Sequence, residues 1–371
     1  MKSSGAHSRR RWTGHHWALS RAVPVVALVL TASLAFVIAA SSSRGTGPLT
    51  PHGTSARAID HPGATLSAAR LAQTPIAWLG GATTAKTGES VNVYVSSALP
   101  PELGTPQTWA DFLSGLLHGP ELAALTAYIS TLDEVQELCG DGALGCYWGD
   151  RMVSMGETMY GVTAEEVVRH EYGHHIALHR VNSPWLAIDW GPKNWASTED
   201  VCRRAEEQTA YPGDEGDHYS LNPGEAWAET YRLLDERNAS ATGSGWQIID
   251  SSLYPDDAAL EAAENDVLQP WTIGRKTVFR RTFPARGKRV WLIPLNTQLD
   301  GLLEITMTLP RNGLHEFELL ADDRATVLQK GLWASTTTKR ITTTICGQRS
   351  LFLRVTQKGA FGRVTVTAAT P

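Results

Sequence analysis

The sequence predicts an α+β domain followed by a small all-β sandwich, with a targeting segment in front of both. An uncharged apolar run follows basic residues near the start of the chain. In the middle, capped segments with helical patterns alternate with short strand-like runs. From about residue 270, period-two alternation of apolar and polar residues dominates. A chain of 371 residues is long enough for two domains after the targeting stretch.

The N-terminal segment has the composition of an export signal or a membrane anchor. Basic residues within 1–21 form a cytoplasmic flank, and the run 22–40 is apolar and uncharged. The length of this run suits a membrane span, whereas the small residues at its end suit signal-peptide cleavage, so both alternatives stay open. Either one places the rest of the chain outside the cytoplasm. Residues 41–75 are rich in Ser, Gly, Pro, Thr and Ala and are predicted to be a flexible linker.

The α+β domain is predicted to span 76–265. Alternation at 91–96 predicts a strand, and the following apolar periodicities predict helices. The expected elements before residue 160 are a strand at 91–96, helices at 107–117 and 121–131, and short strands at 146–148 and 151–155. Three tryptophans in the later segment 182–222 are predicted to be core residues rather than substrate contacts: Trp185, Trp190 and Trp195.

Residues 162–180 are predicted to form a helix that carries the chemistry. Thr163 and Glu166 have the spacing of a capping box at its start. Further along it lies an H-E-x-x-H pattern, in which His170 and His174 are about 40° apart around the helix axis. Both imidazoles can therefore reach one metal ion, and Glu171 can reach a water bound to it. Two neutral nitrogen ligands and a basic carboxylate are what a zinc hydrolase requires.

Four other residues of this helix refine the prediction. Gly173 costs about 1 kcal/mol of helix propensity relative to Ala, which indicates close packing there by a backbone or a substrate. The pattern with a third histidine six residues after the second is not met, because that position is Arg180. We therefore interpret His175 and His179 as residues of the helix surface or as hydrogen-bond partners of the ligands.

The third metal ligand is expected on a second helix. Asn222 suits an N-cap and Pro223 the first helical position, and the helix should run to about Arg237. Glu225 and Glu229 lie one turn apart on one face, beside small and aromatic residues that indicate burial. We assign Glu225 as the third ligand and Glu229 as a partner that hydrogen-bonds a ligand imidazole. The alternative is that Glu225 only caps its own helix.

The sequences HEYGH and GEAWAE together resemble the gluzincin metallopeptidases, in particular the lethal-factor-like branch and secreted bacterial relatives. The resemblance covers roughly 90–240 and implies a zincin-like fold. It implies that His170, His174 and Glu225 are zinc ligands and that Glu171 is the general base. Glu229 matches the glutamate that this branch has four residues after the third ligand.

The same resemblance implies a tyrosine that stabilises the developing oxyanion. Tyr219 is the candidate, although its offset from Glu225 differs by one residue from that branch. Tyr211 and His218 are the reserve candidates. By analogy with zincins, 147–155 is predicted to align an extended peptide along a sheet edge, and an internal hairpin is the alternative.

The chain contains four cysteines, which the predicted export makes candidates for disulfides. Cys139 and Cys146 bracket a glycine-rich loop and are predicted to pair. Cys202 and Cys346 either pair across the two domains or stay free.

Residues 270–371 are predicted to form the β-sandwich. Apolar residues alternate with polar ones in several runs bounded by turn residues, as at 303–309 and 351–356. Seven or so strands over this length are typical of a small sandwich. No catalytic constellation is present in it, so an accessory role is expected.

These observations predict an exported, extracytoplasmic zinc (Zn²⁺) metallopeptidase acting on a peptide or protein substrate, with Glu171 as the general base. The N-terminal segment would also hold it in the membrane if uncleaved. The net charge of −5 and the lack of a basic block beyond the first residues exclude nucleic acid as a partner. One alternative is a non-catalytic, zinc-stabilised binding module at the cell surface. Another is a zinc hydrolase that acts on a non-peptide amide.

Overall fold

The computed structural model describes Leu71 and residues 75–371, except 288, 312–313, 334–337 and 360. The predicted flank 1–21 and apolar run 22–40 lie outside the described residues, as does nearly all of the predicted linker. Within the described part of the chain, no helix is both long and apolar enough to cross a membrane.

A five-stranded mixed sheet forms the first half of the fold. Its strands are β1 (Trp78–Thr84), β2 (Ser90–Ser96), β3 (Thr126–Ser130), β4 (Gly145–Trp148) and β5 (Arg151–Met155). The spatial order is β1-β2-β3-β5-β4, in which β2, β3 and β5 are parallel and the two outer strands are antiparallel to their neighbours. The predicted strands at 146–148 and 151–155 are thus confirmed as a hairpin, and β4 is the outer strand on this side of the described sheet.

A short two-stranded sheet, β6 (Val181–Asn182) and β7 (Trp185–Leu186), lies later in this part of the chain. Eight described α-helices accompany the sheets: α1 (Pro106–Leu113), α2 (Leu132–Cys139), α3 (Ala164–Leu178), α4 (Ala187–Trp190), α5 (Lys193–Thr198), α6 (Val201–Glu206), α7 (Pro223–Ala239) and α8 (Asp257–Leu268). The last of these continues past residue 265, so the chain leaves this part of the fold slightly later than the sequence suggests. The predicted core role of the three tryptophans holds, because each is at most 5% exposed: Trp185, Trp190 and Trp195.

The predicted helix at 121–131 is wrong. A short 3-10 helix, Pro120–Ala124, is followed directly by β3. Within this short helix, the Glu121 carboxylate accepts a hydrogen bond from the Gly119 amide and pairs with Arg180 at 3.0 Å. The next residues pair with parallel strands on both sides, and this tertiary pairing outweighs local helix propensity.

The helices α3 and α7 form as the sequence predicts. Thr163 and Glu166 make both reciprocal hydrogen bonds of the capping box at the start of α3. At the start of α7, the Asn222 side chain accepts a hydrogen bond from the Gly224 amide, and Pro223 occupies the first turn. The two helices lie against each other, and both are almost entirely buried. Side chains on them therefore meet in a dry interior.

The C-terminal part is a sandwich of two four-stranded antiparallel sheets, with orders β13-β10-β15-β8 and β12-β11-β14-β9. The strands are β8 (Arg275–Phe283), β9 (Val290–Asn296), β10 (Gly301–Thr308), β11 (His315–Leu320), β12 (Val327–Trp333), β13 (Thr338–Ile345), β14 (Ser350–Gln357) and β15 (Gly362–Thr370). The alternating residues of β10 and β14 point into a separate apolar core, as their period-two pattern predicts. The predicted combination of α+β and all-β structure is confirmed.

The sandwich is joined to the α+β part through the turn before β10. Lys193 of α5 is buried, and its ammonium donates hydrogen bonds to the carbonyl oxygens of Ser183 and Asp300 at 2.7 and 2.9 Å. Burial lowers the pKa of Lys193 to about 7. The Asp300 carboxylate accepts a hydrogen bond from Arg349 at 2.6 Å. The backbone amide of Asp300 donates a hydrogen bond to the Ser197 hydroxyl. Both parts thus share buried polar contacts.

Two disulfides are present in the described structure. Cys139 pairs with Cys146, as predicted, and closes the glycine-rich loop before β4. Cys202 of α6 pairs with Cys346 after β13, which decides between the two alternatives that the sequence left open. This second bond connects the α+β part to the sandwich.

The two disulfides should differ in their effect on stability. Their sequence separations are 144 for Cys202–Cys346 and 7 for Cys139–Cys146. Because a cross-link restricts the unfolded chain more when it closes a longer loop, removing the long-range bond should cost about 2–3 kcal/mol more. Denaturant unfolding of the Cys202→Ala/Cys346→Ala and Cys139→Ala/Cys146→Ala proteins measures the difference. All four cysteines are buried, so the cost of the side-chain cavities is comparable. Equal destabilisation would contradict the prediction.

Candidate metal centre

The structure brings His170, His174 and Glu225 together between α3 and α7. The Glu225 Oε2 atom lies 3.2 Å from His170 Nε2 and 3.5 Å from His174 Nε2. One ligand atom from each residue lies within 4.8 Å of the other two. The four-residue spacing of the histidines sets their common face, and the packing of α7 on α3 places the carboxylate opposite them.

The chemistry of these three side chains fits a divalent metal ion. All three are at most 1% exposed, and the buried Glu225 Oε1 atom has no hydrogen-bond partner among the described residues. The described contacts of Glu225 are with imidazoles and a tyrosine rather than with a lysine or arginine. A buried carboxylate is costly without a compensating cation. Two imidazoles and one carboxylate are the ligand set of many metal sites that keep an open position.

The close approach of the two helices depends on Gly173. A Cβ atom at this position would lie 2.7 Å from the Ala228 Cα atom and 3.1 Å from the Ala228 carbonyl oxygen. The Trp227 indole also donates a hydrogen bond of 2.7 Å to the Gly173 carbonyl oxygen. The close packing expected at this glycine is therefore against the backbone of α7, next to the candidate ligand His174.

The side chain of Glu171, on α3, lies against the outer strand β4. It is fully buried, and a Cβ atom added at Gly145 of β4 would collide with its Oε1 atom and with Val167. Gly145 thus leaves the space that the glutamate occupies. As a result, the candidate base sits beside the strand that was predicted to align a peptide.

Glu229 lies one helical turn from Glu225 and faces the other nitrogen of a histidine. Its Oε2 atom is 3.5 Å from His170 Nδ1. Arg232 donates two hydrogen bonds to the same carboxylate, at 2.6 and 3.0 Å. Burial raises the pKa of Glu229, but the hydrogen bonds from His170 and Arg232 outweigh it, so the pKa lies below its ordinary value. An ionised Glu229 favours a proton on Nδ1, which leaves the Nε2 lone pair directed at the metal position.

Arg232 is a contributor to the site that the sequence reading missed. Besides Glu229, it pairs with Glu236 at 2.7 Å and lies 3.7 Å from Glu166, the capping-box glutamate of α3. It also donates to the Trp246 carbonyl oxygen, and the Trp246 ring packs 5.6 Å from His170. The spacing of three between Glu229 and Arg232 on one helix was the available signal. The contact with Trp246 depends on tertiary structure alone.

Tyr219 is the tyrosine that the structure brings to the ligands. Its hydroxyl donates a 3.0 Å hydrogen bond to Glu225 Oε2. The reserve candidates pack against each other instead, with the rings of Tyr211 and His218 stacked at 3.7 Å and His218 bound to Asp214. Of the three candidates, Tyr219 is therefore the one that contacts a residue of the candidate ligand set.

His175 occupies an environment different from the expected helix surface. It is fully buried, with Nε2 2.8 Å from the Glu121 carbonyl oxygen and Nδ1 2.9 Å from the Tyr147 hydroxyl. Burial lowers the pKa of His175 to about 4, so the ring is neutral near pH 7. His179 is partly exposed and binds Asp150 at 2.6 Å.

Comparison with known proteins gives no family. Neither a family model nor a curated protein matches the chain. Among solved structures, the chain is similar to the pre-peptidase C-terminal domain of a collagenase from Bacillus anthracis, at 12% identity and a TM-score of 0.23 over 26% of this chain and 90% of that one. It is also similar to a carbohydrate-binding module of lichenase 5A from Cellvibrio mixtus, at 12% identity and a TM-score of 0.19 over 27% and 91%. Likenesses this weak carry no argument about function.

Replacing Gly173 by Ala tests whether the helix approach supports the site. Ala would add about 1 kcal/mol of helix propensity, but overpacking against Ala228 should cost about 1–3 kcal/mol. We therefore expect Gly173→Ala to lower both the free energy of unfolding and the affinity for zinc, measured by denaturant unfolding and metal titration. Glu165→Ala, on the exposed side of the same helix, is the control and should leave both unchanged within about 0.5 kcal/mol. Full zinc affinity in Gly173→Ala would show that the site tolerates a wider helix separation.

Proposed function

We propose that the protein is an exported zinc metallopeptidase with a zincin-like α+β domain. The observation that supports this most directly is the convergence of His170, His174 and Glu225 at one buried point, with Glu171 on the same helix. Structural zinc sites usually have four protein ligands, whereas catalytic ones have three and an open position. A glutamate next to a ligand on the same helix can act as the general base of a hydrolase.

The roles of the side chains follow from their positions. His170, His174 and Glu225 would hold the zinc ion, which would supply a Lewis acid and a water of lowered pKa. Glu171 takes the proton of the attacking water and passes it to the leaving amine. Glu229, held ionised by Arg232, keeps the His170 ring in the tautomer that exposes Nε2.

The strand β4 is the proposed binding edge for an extended peptide. Within the described sheet β4 pairs only with β5, so its other edge has no strand neighbour there. Pairing of this kind recognises main chain and demands little of the side chains. Since Gly145 of this strand adjoins Glu171, a peptide paired here would have a carbonyl group beside the base.

Tyr219 is proposed to stabilise the negative charge that develops on the peptide oxygen. Its hydroxyl is 3.0 Å from a ligand carboxylate oxygen, so a small rotation would direct it to a group bound at the same point. The side chain is only partly buried.

An extracytoplasmic location is proposed from two features. The sequence begins with a basic flank and an apolar run, 1–21 and 22–40, and the described part of the chain contains two disulfides. Disulfides persist in oxidising compartments and are rare in the cytosol. Whether the apolar run is removed or retained as an anchor, the metal centre lies on the outer side.

Replacing Glu171 by Gln tests the enzymatic proposal. The change keeps the size of the side chain but removes the base, so zinc should stay bound while peptide hydrolysis falls at least about a hundredfold. Hydrolysis of a broad peptide library and metal analysis of the purified protein provide the two readouts. Glu165→Gln, an exposed glutamate on the same helix, is the matched control and should retain activity.

Other outcomes lead to different functions. If wild type and Glu171→Gln both hold zinc and are equally inert against peptides, the peptidase proposal fails and the zinc-stabilised binding module replaces it. If wild type hydrolyses only non-peptide amides and Glu171→Gln does not, the chemistry stands and the substrate class is wrong. Loss of zinc in Glu171→Gln would contradict the assignment of the residue as a base.

Replacing Tyr219 by Phe separates oxyanion stabilisation from ligand support. If the hydroxyl acts in the transition state, kcat should fall by about tenfold to a thousandfold with zinc affinity and KM nearly unchanged. Steady-state kinetics with a cleaved peptide, together with zinc titration, measure these quantities. Tyr211→Phe removes a nearby hydroxyl that does not bind Glu225 and serves as the control. A loss of zinc affinity in Tyr219→Phe without an effect on kcat of the zinc-loaded protein would contradict the proposed role.

A further inference from the structure

The helix α3 carries a second pair of histidines with metal-ligand spacing. His175 directly follows His174, and His179 lies four residues after His175. A step of one residue turns the side chain by about 100°, so this pair faces a different side of the helix from the first pair. We propose that His175, His179 and Asp150 form a second, weaker site for a divalent transition-metal ion such as zinc.

The three side chains converge at the end of α3. One ligand atom of each lies within 4.8 Å of the others. Asp150 Oδ1 is 2.6 Å from His179 Nε2 and 3.7 Å from His175 Nδ1, and the two imidazole centroids are 4.7 Å apart. These separations are close to those between ligand atoms around one ion, so only small rotations are needed to bind it.

The backbone sets the tautomer of His175. Its Nε2 atom faces the Glu121 carbonyl oxygen at 2.8 Å, and a carbonyl only accepts, so Nε2 carries the hydrogen. The Nδ1 atom therefore has a lone pair, which faces the Tyr147 hydroxyl at 2.9 Å and the Asp150 carboxylate. A histidine that donates one ring N–H to a backbone carbonyl is the usual arrangement for a metal ligand.

The position of Asp150 is set by the turn between β4 and β5. Gly149 and Asp150 both have positive φ, 46° and 65°, as a two-residue hairpin turn of this kind requires. The Asp150 amide donates a hydrogen bond to the Tyr147 hydroxyl at 3.1 Å, which anchors the turn over the helix end. The C-terminus of α3, where His179 is the capping residue, carries a partial negative charge that favours a cation.

The exposure of the three residues fits a reversible site. His175 is fully buried, whereas the side chains of His179 and Asp150 are 31% and 44% exposed. An ion can thus enter from solvent and keep water in its remaining positions. Two imidazoles and a carboxylate suit zinc and similar transition ions better than calcium or magnesium. Binding requires that the Tyr147 hydroxyl leave Nδ1 and that the His179–Asp150 hydrogen bond break, which makes this site weaker than the first.

Zinc titration of the full chain tests this proposal without reference to peptidase activity. Wild-type protein stripped of metal should bind about two zinc ions per chain in two classes of affinity, by calorimetry and equilibrium dialysis. Asp150→Asn and His179→Gln should each lose the weaker ion and keep the tighter one, and both positions are exposed enough for the fold to tolerate the change. His170→Ala should lose the tighter ion and keep the weaker one, whether or not the first site is catalytic.

The chain provides a matched control in His218. It pairs with Asp214 at 2.8 Å and both side chains are similarly exposed, but the described structure places no second metal ligand with them. His218→Gln should therefore retain both zinc ions. Saturation of the wild type at one ion, or a weaker ion that persists in both Asp150→Asn and His179→Gln, would overturn the proposal. Equal loss in His218→Gln would also overturn it, because the weaker binding would then belong to surface histidines in general.

Discussion

The packing of α3 against the backbone of α7 at Gly173 is the constraint on which the convergence of His170, His174 and Glu225 depends. The three side chains come from two helices, and His170 and Glu225 are 55 positions apart in the chain. Their convergence therefore requires the helices to approach within backbone contact. A glycine opposite Ala228 permits this approach, and the hydrogen bond from Trp227 to the Gly173 carbonyl oxygen holds it in register. Interiors packed this densely do not deform continuously, so the ligand geometry is determined by the helix contact rather than by the ligands themselves.

The second organising feature is the concentration of carboxylates in this dry interior. The positive charge of Arg232 compensates the carboxylates of Glu229, of Glu166 on α3 and of Glu236 on α7. Glu225 has no such cation among its described contacts. The same low dielectric that makes an isolated carboxylate costly also strengthens its attraction for a metal ion. The charge arrangement therefore favours a cation at this point, while the helix packing sets the positions of the three side chains.

The outer strand β4 and the hairpin turn that follows it connect several features of the molecule. Gly145 at the start of this strand makes room for Glu171, whereas Asp150 in the turn reaches the far end of α3. Tyr147 lies between these points, with its ring stacked at 6.4 Å from His174 and its hydroxyl bound to His175. A single hairpin thus contacts both histidine pairs of one helix, which explains why a short segment carries so many polar contacts.

The sequence by itself determined what depends on local spacing. The capping box and the four-residue spacing predicted α3 with His170 and His174 on one face, because helix geometry is set within a turn or two of chain. Glu225 was also predicted to join these histidines from local signals, the N-cap and burial pattern of α7, and the structure brings the three side chains together. Only the tertiary structure decided the contacts between distant segments. It replaced the predicted helix at 121–131 by a strand, because parallel neighbours on both sides outweighed propensity. It also joined Cys202 to Cys346 and buried His175, since pairing across the chain depends on which surfaces pack together and leaves no local pattern.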